Sequence, residues 1–377
     1  DDDAGPNSGA ACVCLVPRTS SWPRLAKMVA SDAAASDYFG GSVAASGDLV
    51  AVGAYGDDSN TGSVYILRLD SSAAGYTQLV KLTASDAAAY SNFGDSVAID
   101  GNTIVVGASR DNGGASNSGS AYVFRQVTAY VEVAKLTASD ASYGANFGRA
   151  VAIDGDTIVI GANDMDNFGT GALYIFRTTD GGATYGQVAK LTASDGASMD
   201  YFGWSVAIDG DTVVVGASID DDAGDHSGSV YVYRTTDGGA TYVEVAKLTA
   251  ADAATDDYFG RSVAISAGII AIGAPGDDEG GGFGSGSVYL FQTEDDGATW
   301  SEFAFLIASD AAAEEYFGTS VAISGVRVIT GAYKEDGAGG DSGATYLFEM
   351  PATPAPPTAA PTPRPTINNV MTDSNIN

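Results

Sequence analysis

Six Phe-Gly pairs recur at near-regular intervals along this 377-residue chain. The intervals between successive pairs are 54, 54, 55, 57 and 58 residues, and the sequence around each pair recurs with it. Self-similarity at a fixed period of this length indicates copies of one supersecondary unit that pack on one another. The six pairs are Phe39-Gly40, Phe93-Gly94, Phe147-Gly148, Phe202-Gly203, Phe259-Gly260 and Phe317-Gly318.

The unit that begins at Phe147 shows what each copy contains. "FGRAVAI" alternates apolar and polar residues, "TIVIGA" is β-branched and apolar, and "ALYIF" and "GQVAKLTA" follow after polar loops. These four segments have the length and residue types of β-strands, and the Asp-Gly turn between the first two is typical of a hairpin. The sequence therefore predicts an all-β fold, a six-bladed β-propeller of four-stranded antiparallel blades.

The fourth-strand sequence also occurs before the first Phe-Gly pair and is missing after the last one, where prolines follow Met350. We therefore expect the strand Ala26–Ala30 to complete the sixth blade and close the propeller. The predicted organisation is an acidic, cysteine-containing extension over residues 1–24, the propeller over 25–350 and a Pro/Thr-rich extended tail over 351–377.

The copies read Phe-Gly-x-Ser-Val-Ala-Ile, then Val-Gly-Ala, then Ser-Gly-x-x-Tyr. This pattern resembles the FG-GAP repeat over Leu25 to Met350. The resemblance implies a propeller like the ligand-binding head of integrin α subunits. Two features differ from that head, because this chain supplies strands for six blades rather than seven and lacks the Asp-x-Asp-x-Asp-Gly calcium loop. Integrin-style calcium sites are therefore not carried over.

A second resemblance, to the Asp-box of sialidase-type propellers, lies between the third and fourth strands of three units. We expect its Asp to accept backbone N–H groups within a turn, while the Tyr or Trp that follows packs on the blade. The segments are "TTDGGATY" at Thr178–Tyr185 and Thr235–Tyr242, and "TEDDGATW" at Thr293–Trp300.

The net charge of −31 comes from 48 acidic and 17 basic residues. It argues against nucleic acid as a partner and against anionic membrane surfaces. Most carboxylates fall in loops that share one propeller face, where hard cations with oxygen ligands are the matching chemistry. Calcium is thus a candidate cofactor, although solvated carboxylates that cap turns would give the same pattern. The candidate ligands are Asp57, Asp58, Asp220, Asp222, Asp277 and Asp278.

The only cysteines, Cys12 and Cys14, are disulfide candidates. Cys-x-Cys is too short for the usual disulfide geometry, so a tight local bridge, a bridge to another subunit and free thiols all remain open. The first residue is Asp1 rather than Met, which is consistent with a removed secretory signal. No segment is long enough to span a bilayer.

The tail sequence "PATPAPPTAAPTPRPT" follows Met350 directly. Such sequence favours extended polyproline II and is typical of O-glycosylated stalks, with a plain flexible linker as the alternative. The candidate positions for O-glycosylation or proline hydroxylation are Thr353, Pro354, Pro356, Pro357, Thr358, Pro361, Thr362, Pro363, Pro365 and Thr366.

Three functional hypotheses follow. The first is a non-enzymatic, extracellular structural or adhesive protein, a fibre subunit whose terminal segments contact other copies of itself. The second is a calcium-dependent head that binds an extracellular glycan or protein. The third, a sialidase-like glycosidase, needs an arginine cluster, whereas Arg149 and Arg261 stand apart in sequence. The sole histidine, His226, is interpreted as a loop residue or an isolated metal ligand.

Overall fold

The computed structural model describes residues 6–14, 24–69, 75–335, 343–350 and 370–371, with the backbone alone at 12–14, 24–26 and 370–371. The chain forms two compact units, Asp1–Thr192 and Ala193–Asn377. The first contains a hairpin and three four-stranded sheets, and the second contains three further four-stranded sheets.

The strands of the first unit are β1 (Ala11–Cys14), β2 (Arg24–Met28), β3 (Ser42–Ser46), β4 (Leu49–Ala54), β5 (Ser63–Leu69), β6 (Tyr76–Leu82), β7 (Phe93–Asp100), β8 (Thr103–Ala108), β9 (Ser120–Gln126), β10 (Tyr130–Leu136), β11 (Phe147–Asp154), β12 (Thr157–Ala162), β13 (Ala172–Arg177) and β14 (Gly186–Leu191). A short turn, Asp57–Asn60, in which Asp58 and Ser59 have left-handed φ of 50° and 66°, and a 3-10 turn (Met165–Asn167) lie in loops.

The strands of the second unit are β15 (Ser205–Asp209), β16 (Thr212–Ala217), β17 (Ser229–Arg234), β18 (Val243–Leu248), β19 (Ser262–Ser266), β20 (Ile269–Ala274), β21 (Ser287–Gln292), β22 (Ser301–Leu306), β23 (Phe317–Ser324), β24 (Arg327–Ala332), β25 (Ala344–Glu349) and β26 (Val370–Met371). Sheets β3–β6, β7–β10, β11–β14, β15–β18, β19–β22 and β23–β26 are antiparallel in chain order. The predicted fold class is confirmed: the protein is an all-β, six-bladed β-propeller, and these sheets are blades one to six.

In the first five blades the second strand lies in the core because its residues are apolar on both faces. All six residues of β12 are buried, as are all six of β4. Side chains on both faces of such a strand contact neighbouring sheets, so it reads as a continuous β-branched run rather than an alternation. The apolar "IVVGA"-type segments of the sequence are these strands.

The Phe-Gly and Gly-Ala glycines meet where two blades pack together. Gly94 has φ +91°, a left-handed conformation that glycine adopts without a steric penalty. Its carbonyl oxygen lies only 2.2 Å from where a Cβ on Gly53 of the preceding blade would stand, so a side chain at Gly53 cannot fit. The Ser42 hydroxyl donates to the same carbonyl at 2.8 Å. The repeated Phe-Gly, Ser and Gly-Ala residues therefore form one inter-blade contact.

Each Phe of the repeat is buried against the Tyr of the third strand. Phe147 is fully buried, and its ring lies edge-on to that of Tyr174 with centroids 5.3 Å apart. Phe259 and Tyr289 repeat this arrangement at 5.5 Å. Edge-to-face pairs of this kind add to the free energy gained by burying the rings. The repeated aromatic residues belong to the core and not to a ligand platform.

The predicted closing strand pairs elsewhere. Strand β2 pairs with β1, and the fourth strand of the sixth blade is β26, which pairs with β25. The hairpin resembles the outer half of a further blade, because Gly9 bridges Phe39 as Gly62 bridges Phe93. The physical reason is that the segment "GAACVC", which contains β1, resembles the third strand of a repeat. Strand β2, which resembles a fourth strand, therefore pairs with β1 just before it in the chain.

Candidate functional site

Two carboxylates, a tyrosine and a lysine meet at the loop end of the fourth blade. The Tyr231 hydroxyl donates to Asp195 at 2.7 Å and to Asp220 at 2.9 Å. The Lys247 ammonium lies 2.7 Å from Asp195 and 3.2 Å from Asp220, and it also pairs with Asp222. Tyr231 on β17 faces Lys247 on β18 in the strand register, so strand pairing positions the two side chains together.

The first two blades build the same cluster, and the third keeps three of its members. In each full cluster the carboxylate from the loop between the second and third strands is buried, so the adjacent ammonium compensates a charge that is costly to bury alone. The residues are Asp32, Asp57, Tyr65 and Lys81 in the first blade, Asp86, Asp111, Tyr122 and Lys135 in the second, and Asp140, Tyr174 and Lys190 in the third.

The interactions within the cluster favour a fixed protonation state. Burial raises the pKa of Tyr231, and its hydrogen bond to Asp195 raises it further. Burial alone would lower the pKa of Lys247, but its contacts with Asp195 and Asp222 outweigh burial and raise it. The pKa of Asp195 falls, because bonds from Lys247 and Tyr231 outweigh the effect of burial. The cluster therefore holds a neutral phenol and a charged ion pair at neutral pH, which is a structural arrangement.

The fifth blade carries an apolar side chain where that lysine would be. Phe305 faces Tyr289 in the strand register and stacks on its ring at 6.3 Å. The Tyr289 hydroxyl still contacts Asp252, at 3.0 Å, and Asp277, which is 3% exposed. This blade therefore keeps the two carboxylates of the cluster and replaces its lysine with Phe.

A buried aspartate near the cluster has a raised pKa in each of these two blades. Burial, together with the charges of Asp220 and Asp221, raises the pKa of Asp200 in the fourth blade to about 6. Burial, with the charges of Asp277 and its neighbours, raises the pKa of Asp257 in the fifth blade to about 7. Lys247 lowers the pKa of Asp200, whereas Phe305 supplies no such charge near Asp257. Burial is the largest cause of the raised pKa in both blades, and Lys247 offsets part of it in the fourth.

The six predicted calcium ligands lie in three separate loops, two residues in each. Asp57 and Asp220 bind lysine ammonium groups at 2.6 and 3.2 Å, and Asp222 pairs with the second of these lysines. Asp58 lies 3.9 Å from Lys81. Asp278 accepts the backbone N–H of Gly284 at 2.8 Å. In the first and fourth blades a lysine thus occupies the position expected for calcium, and calcium binding stays a prediction.

Aromatic side chains gather beside the Phe-Gly pairs, at positions that vary between blades. The rings of Tyr38 and Tyr55 stack at 4.9 Å with an interplanar angle of 5°, and Tyr38 is 37% exposed. Both rings line a shallow pocket together with Gly41. In the sixth blade, Tyr316 and Tyr333 stack at 5.3 Å. The sequence did not predict these flat, partly exposed surfaces, because their aromatic residues are not repeated in every blade.

The two arginines that follow Phe-Gly are engaged separately. Arg149 donates to Asp95 at 3.1 Å within the first unit. The Arg261 guanidinium lies 4.0 Å above the ring of Trp204 within the second unit, in a cation–π contact. Each contact joins residues of one unit, and neither resembles a pair of arginines that grip one carboxylate.

The Asp-box prediction is confirmed as a turn device. Asp180 accepts the backbone N–H groups of Ala183 and Thr184, each at 2.9 Å, and the Thr184 hydroxyl at 2.6 Å. These bonds hold the pKa of Asp180 far below its ordinary value. Tyr185, the last residue of the motif, packs against the core. The motif therefore serves the hairpin.

Several predicted sites lie outside the described residues. The glycosylation candidates between 353 and 366 are among them. The backbone of Cys12 and Cys14 belongs to β1, but the side chains of both lie outside the described part, so all three states of the cysteines remain open. Within the described ranges, no helix has the length and apolarity needed to cross a bilayer.

The lysine clusters were also missed, although the sequence carries a signal for them. "KLTASD" repeats a lysine and an aspartate at fixed spacing, as at Lys81 and Asp86. The spacing misleads, because Lys81 pairs with Asp32 of the preceding loop, and Asp86 pairs with Lys135 of the next blade. The strand order, rather than the local spacing, selects the partner.

The fold and the inter-blade Phe-Gly contact define a class, the propellers built from FG-GAP repeats. The FG-GAP repeat family matches residues 22–67, 76–124, 130–176, 185–233, 242–291 and 300–348, and the chain belongs to this family. No curated protein matches its sequence.

Similar solved structures include a protein from Bacteroides fragilis that is provisionally described as a 6-phosphogluconolactonase. The two chains are 12% identical, with a TM-score of 0.56 over 87% of this chain and 83% of that one. At this identity the likeness shows a shared fold.

Proposed function

We propose that the protein is a non-enzymatic, extracellular structural or adhesive protein that assembles with other copies of itself. The observation that carries the proposal is the N-terminal hairpin. Among the described strands β1 pairs only with β2, so its other edge has no partner strand in that part of the chain. An uncovered strand edge is a template for pairing with another chain.

The polar clusters support a role without catalysis. Their lysines, tyrosines and carboxylates bind one another in a repeated pattern, and their pKa shifts favour a neutral phenol beside an ion pair. A catalytic group instead needs a pKa near the working pH and access to substrate. Asp200 and Asp257, whose pKa values are raised to about 6 and 7, meet the first condition but are buried. A sialidase-like glycosidase remains the remote alternative, and the separate engagement of Arg149 and Arg261 weighs against it.

Electron microscopy of the negatively stained full chain tests the assembly. We expect filaments or regular oligomers with a propeller-sized repeat, and a sedimentation coefficient that rises with protein concentration. Single propellers at every concentration would overturn the structural proposal and leave a monomeric binding protein.

The second candidate is a calcium-dependent head for an extracellular glycan or protein, which the Tyr38–Tyr55 stack favours. Flat aromatic faces suit apolar faces of a ligand, and partly exposed Tyr is common in binding surfaces. A glycan array probed with and without calcium, with Tyr55→Ala as the matched variant, tests it. Binding that needs calcium and Tyr55 would support this candidate, and binding unaffected by both would reject it.

A further inference from the structure

The sole histidine lies at a backbone position that recurs in several described copies of the repeat but carries other side chains there. The His226 carbonyl accepts the N–H of Tyr258 at 3.1 Å. The carbonyls of Asn60, Asn117 and Gly284 accept the equivalent N–H groups in their own blades. His226 has φ +55°, and the equivalent Asn60, Asn117 and Gly284 have φ +61°, +51° and +64°. Asn and Gly adopt this left-handed conformation readily, so the backbone itself does not require histidine.

Two carboxylates accompany the imidazole. Ligand atoms of Asp221, Asp225 and His226 all lie within 4.8 Å of one another. The His226 Nε2 atom is 3.8 Å from Asp225 Oδ1. One coordinated ion could bind all three side chains after small rotations, because metal–ligand bonds to nitrogen and oxygen are about 2.0–2.2 Å long.

A fourth residue orients the imidazole from its other side. Asp256 Oδ1 lies 3.0 Å from His226 Nδ1, and the Tyr258 hydroxyl donates to the same oxygen at 3.2 Å. The Tyr258 ring also stacks on the imidazole with centroids 5.9 Å apart. A carboxylate on one ring nitrogen holds the proton there and leaves Nε2 as a lone-pair donor, the arrangement found at most metal-binding histidines.

The orienting residue and one ligand also depart from the repeat. The Asp256 N–H donates to the Asp225 carbonyl. The same backbone bond joins Gly144 to Ser116 in the first unit and Glu314 to Phe283 in the second. Among these equivalent pairs only Asp225 and Asp256 place carboxylates on both sides of the position that His226 occupies. The backbone is shared, whereas among the described junctions this combination of side chains occurs at one.

We propose that Asp221, Asp225 and His226 bind a borderline divalent metal ion of the Zn²⁺ class, with Asp256 as the positioning residue. An imidazole among the ligands favours Zn²⁺ over calcium, which prefers an all-oxygen set. Three protein ligands leave one tetrahedral position for water or for a side chain of a partner. The site is independent of the proposed structural role and of the predicted calcium ligands.

Calorimetric titration of the full chain with ZnCl₂ tests the site, with His226→Asn as the matched variant. Asn occupies the equivalent position at Asn60 and Asn117, so this variant keeps a side chain that the backbone accepts. We expect one Zn²⁺ per chain and at least tenfold weaker binding in His226→Asn. Asp256→Asn should weaken binding by about tenfold or more, the usual effect of losing an orienting carboxylate.

The same titration followed by NMR gives an independent readout. The chain has one histidine, so its imidazole signals are unambiguous, and Nε2 should shift on addition of Zn²⁺. Equal Zn²⁺ affinity in the wild type and His226→Asn, or an unmoved imidazole signal at saturation, would show adventitious binding to surface carboxylates and would overturn the proposal. Absence of Zn²⁺ binding in the wild type would overturn it as well.

Discussion

The fourth and fifth blades share one backbone frame and differ in the chemistry at their loop ends. Both place a buried Phe against a Tyr, with ring centroids 5.4 Å apart in the fourth blade and 5.5 Å in the fifth. Yet Lys247 of the fourth blade is Phe305 in the fifth. The packing that the repeat requires lies inside the sheets, so side chains at the loop ends can vary without loss of the fold.

The largest expected effect tests whether the buried Phe contributes equally to stability in the fourth and fifth blades. Phe202→Ala and Phe259→Ala should each lower the free energy of unfolding by about 3–5 kcal/mol, through lost burial and the cavity left behind. Both side chains are at most 1% exposed. Urea denaturation of the two variants measures the loss. Both variants remove the same side chain. A difference of more than about 1.5 kcal/mol between the two losses would therefore show that the two cores are not equivalent.

The next prediction concerns the contribution of Lys247 to stability. Lys247→Met should lower the free energy of unfolding by about 3 kcal/mol, because removal of one partner leaves a buried carboxylate uncompensated. That carboxylate is Asp220, which is 3% exposed. Urea denaturation measures this loss as well.

The double variant Lys247→Met/Asp220→Asn is the control for this prediction. It removes both charges, so it should recover part of the stability that Lys247→Met loses. No recovery would show that the lysine stabilises the blade by packing of its apolar stem rather than by its charge.

The repeat period made the number of blades, the strands within each repeat and the buried aromatic residues predictable, but not β1 or β26. It could not predict the pairing of β2, because the third-strand copy before it has Cys12 where other copies have Tyr65 or Tyr122. Nor could it predict the clusters, since their members come from different copies of the repeat. For the site around His226, the sequence indicated only that the histidine could be a metal ligand. It could not place Asp256 beside the imidazole, because Asp256 lies in another loop.

A smaller effect depends on pH and distinguishes the two blades. Folding raises the pKa of Asp257 from 3.8 to about 7, so the folded state holds this proton more tightly than the unfolded chain does. Its contribution to stability is therefore full below pH 4 and is lost as the pH rises to about 7. For Asp200, whose folded pKa is about 6, the loss ends nearer pH 6.

Asp257→Asn and Asp200→Asn measure these two contributions. We expect each variant to flatten the dependence of unfolding free energy on pH, and Asp257→Asn to do so over the wider range. Urea midpoints at several values between pH 4 and pH 8 give the slopes. A pH profile of Asp257→Asn parallel to that of the wild type would contradict the raised pKa of Asp257.

The smallest effect concerns the position of His226 itself. His226→Asn should change the free energy of unfolding by no more than about 0.5 kcal/mol without metal, since a partly exposed site that carries Asn in other copies contributes little. His226→Val should cost about 1–2 kcal/mol, because a β-branched residue is strained at a left-handed φ. Thermal denaturation in the presence of a chelator compares the two. If His226→Asn lowered the free energy of unfolding as much as His226→Val, the contacts of the imidazole with Asp256 and Tyr258 would stabilise the loop without metal. The histidine would then have a structural role that Gly284 of the fifth blade does not have.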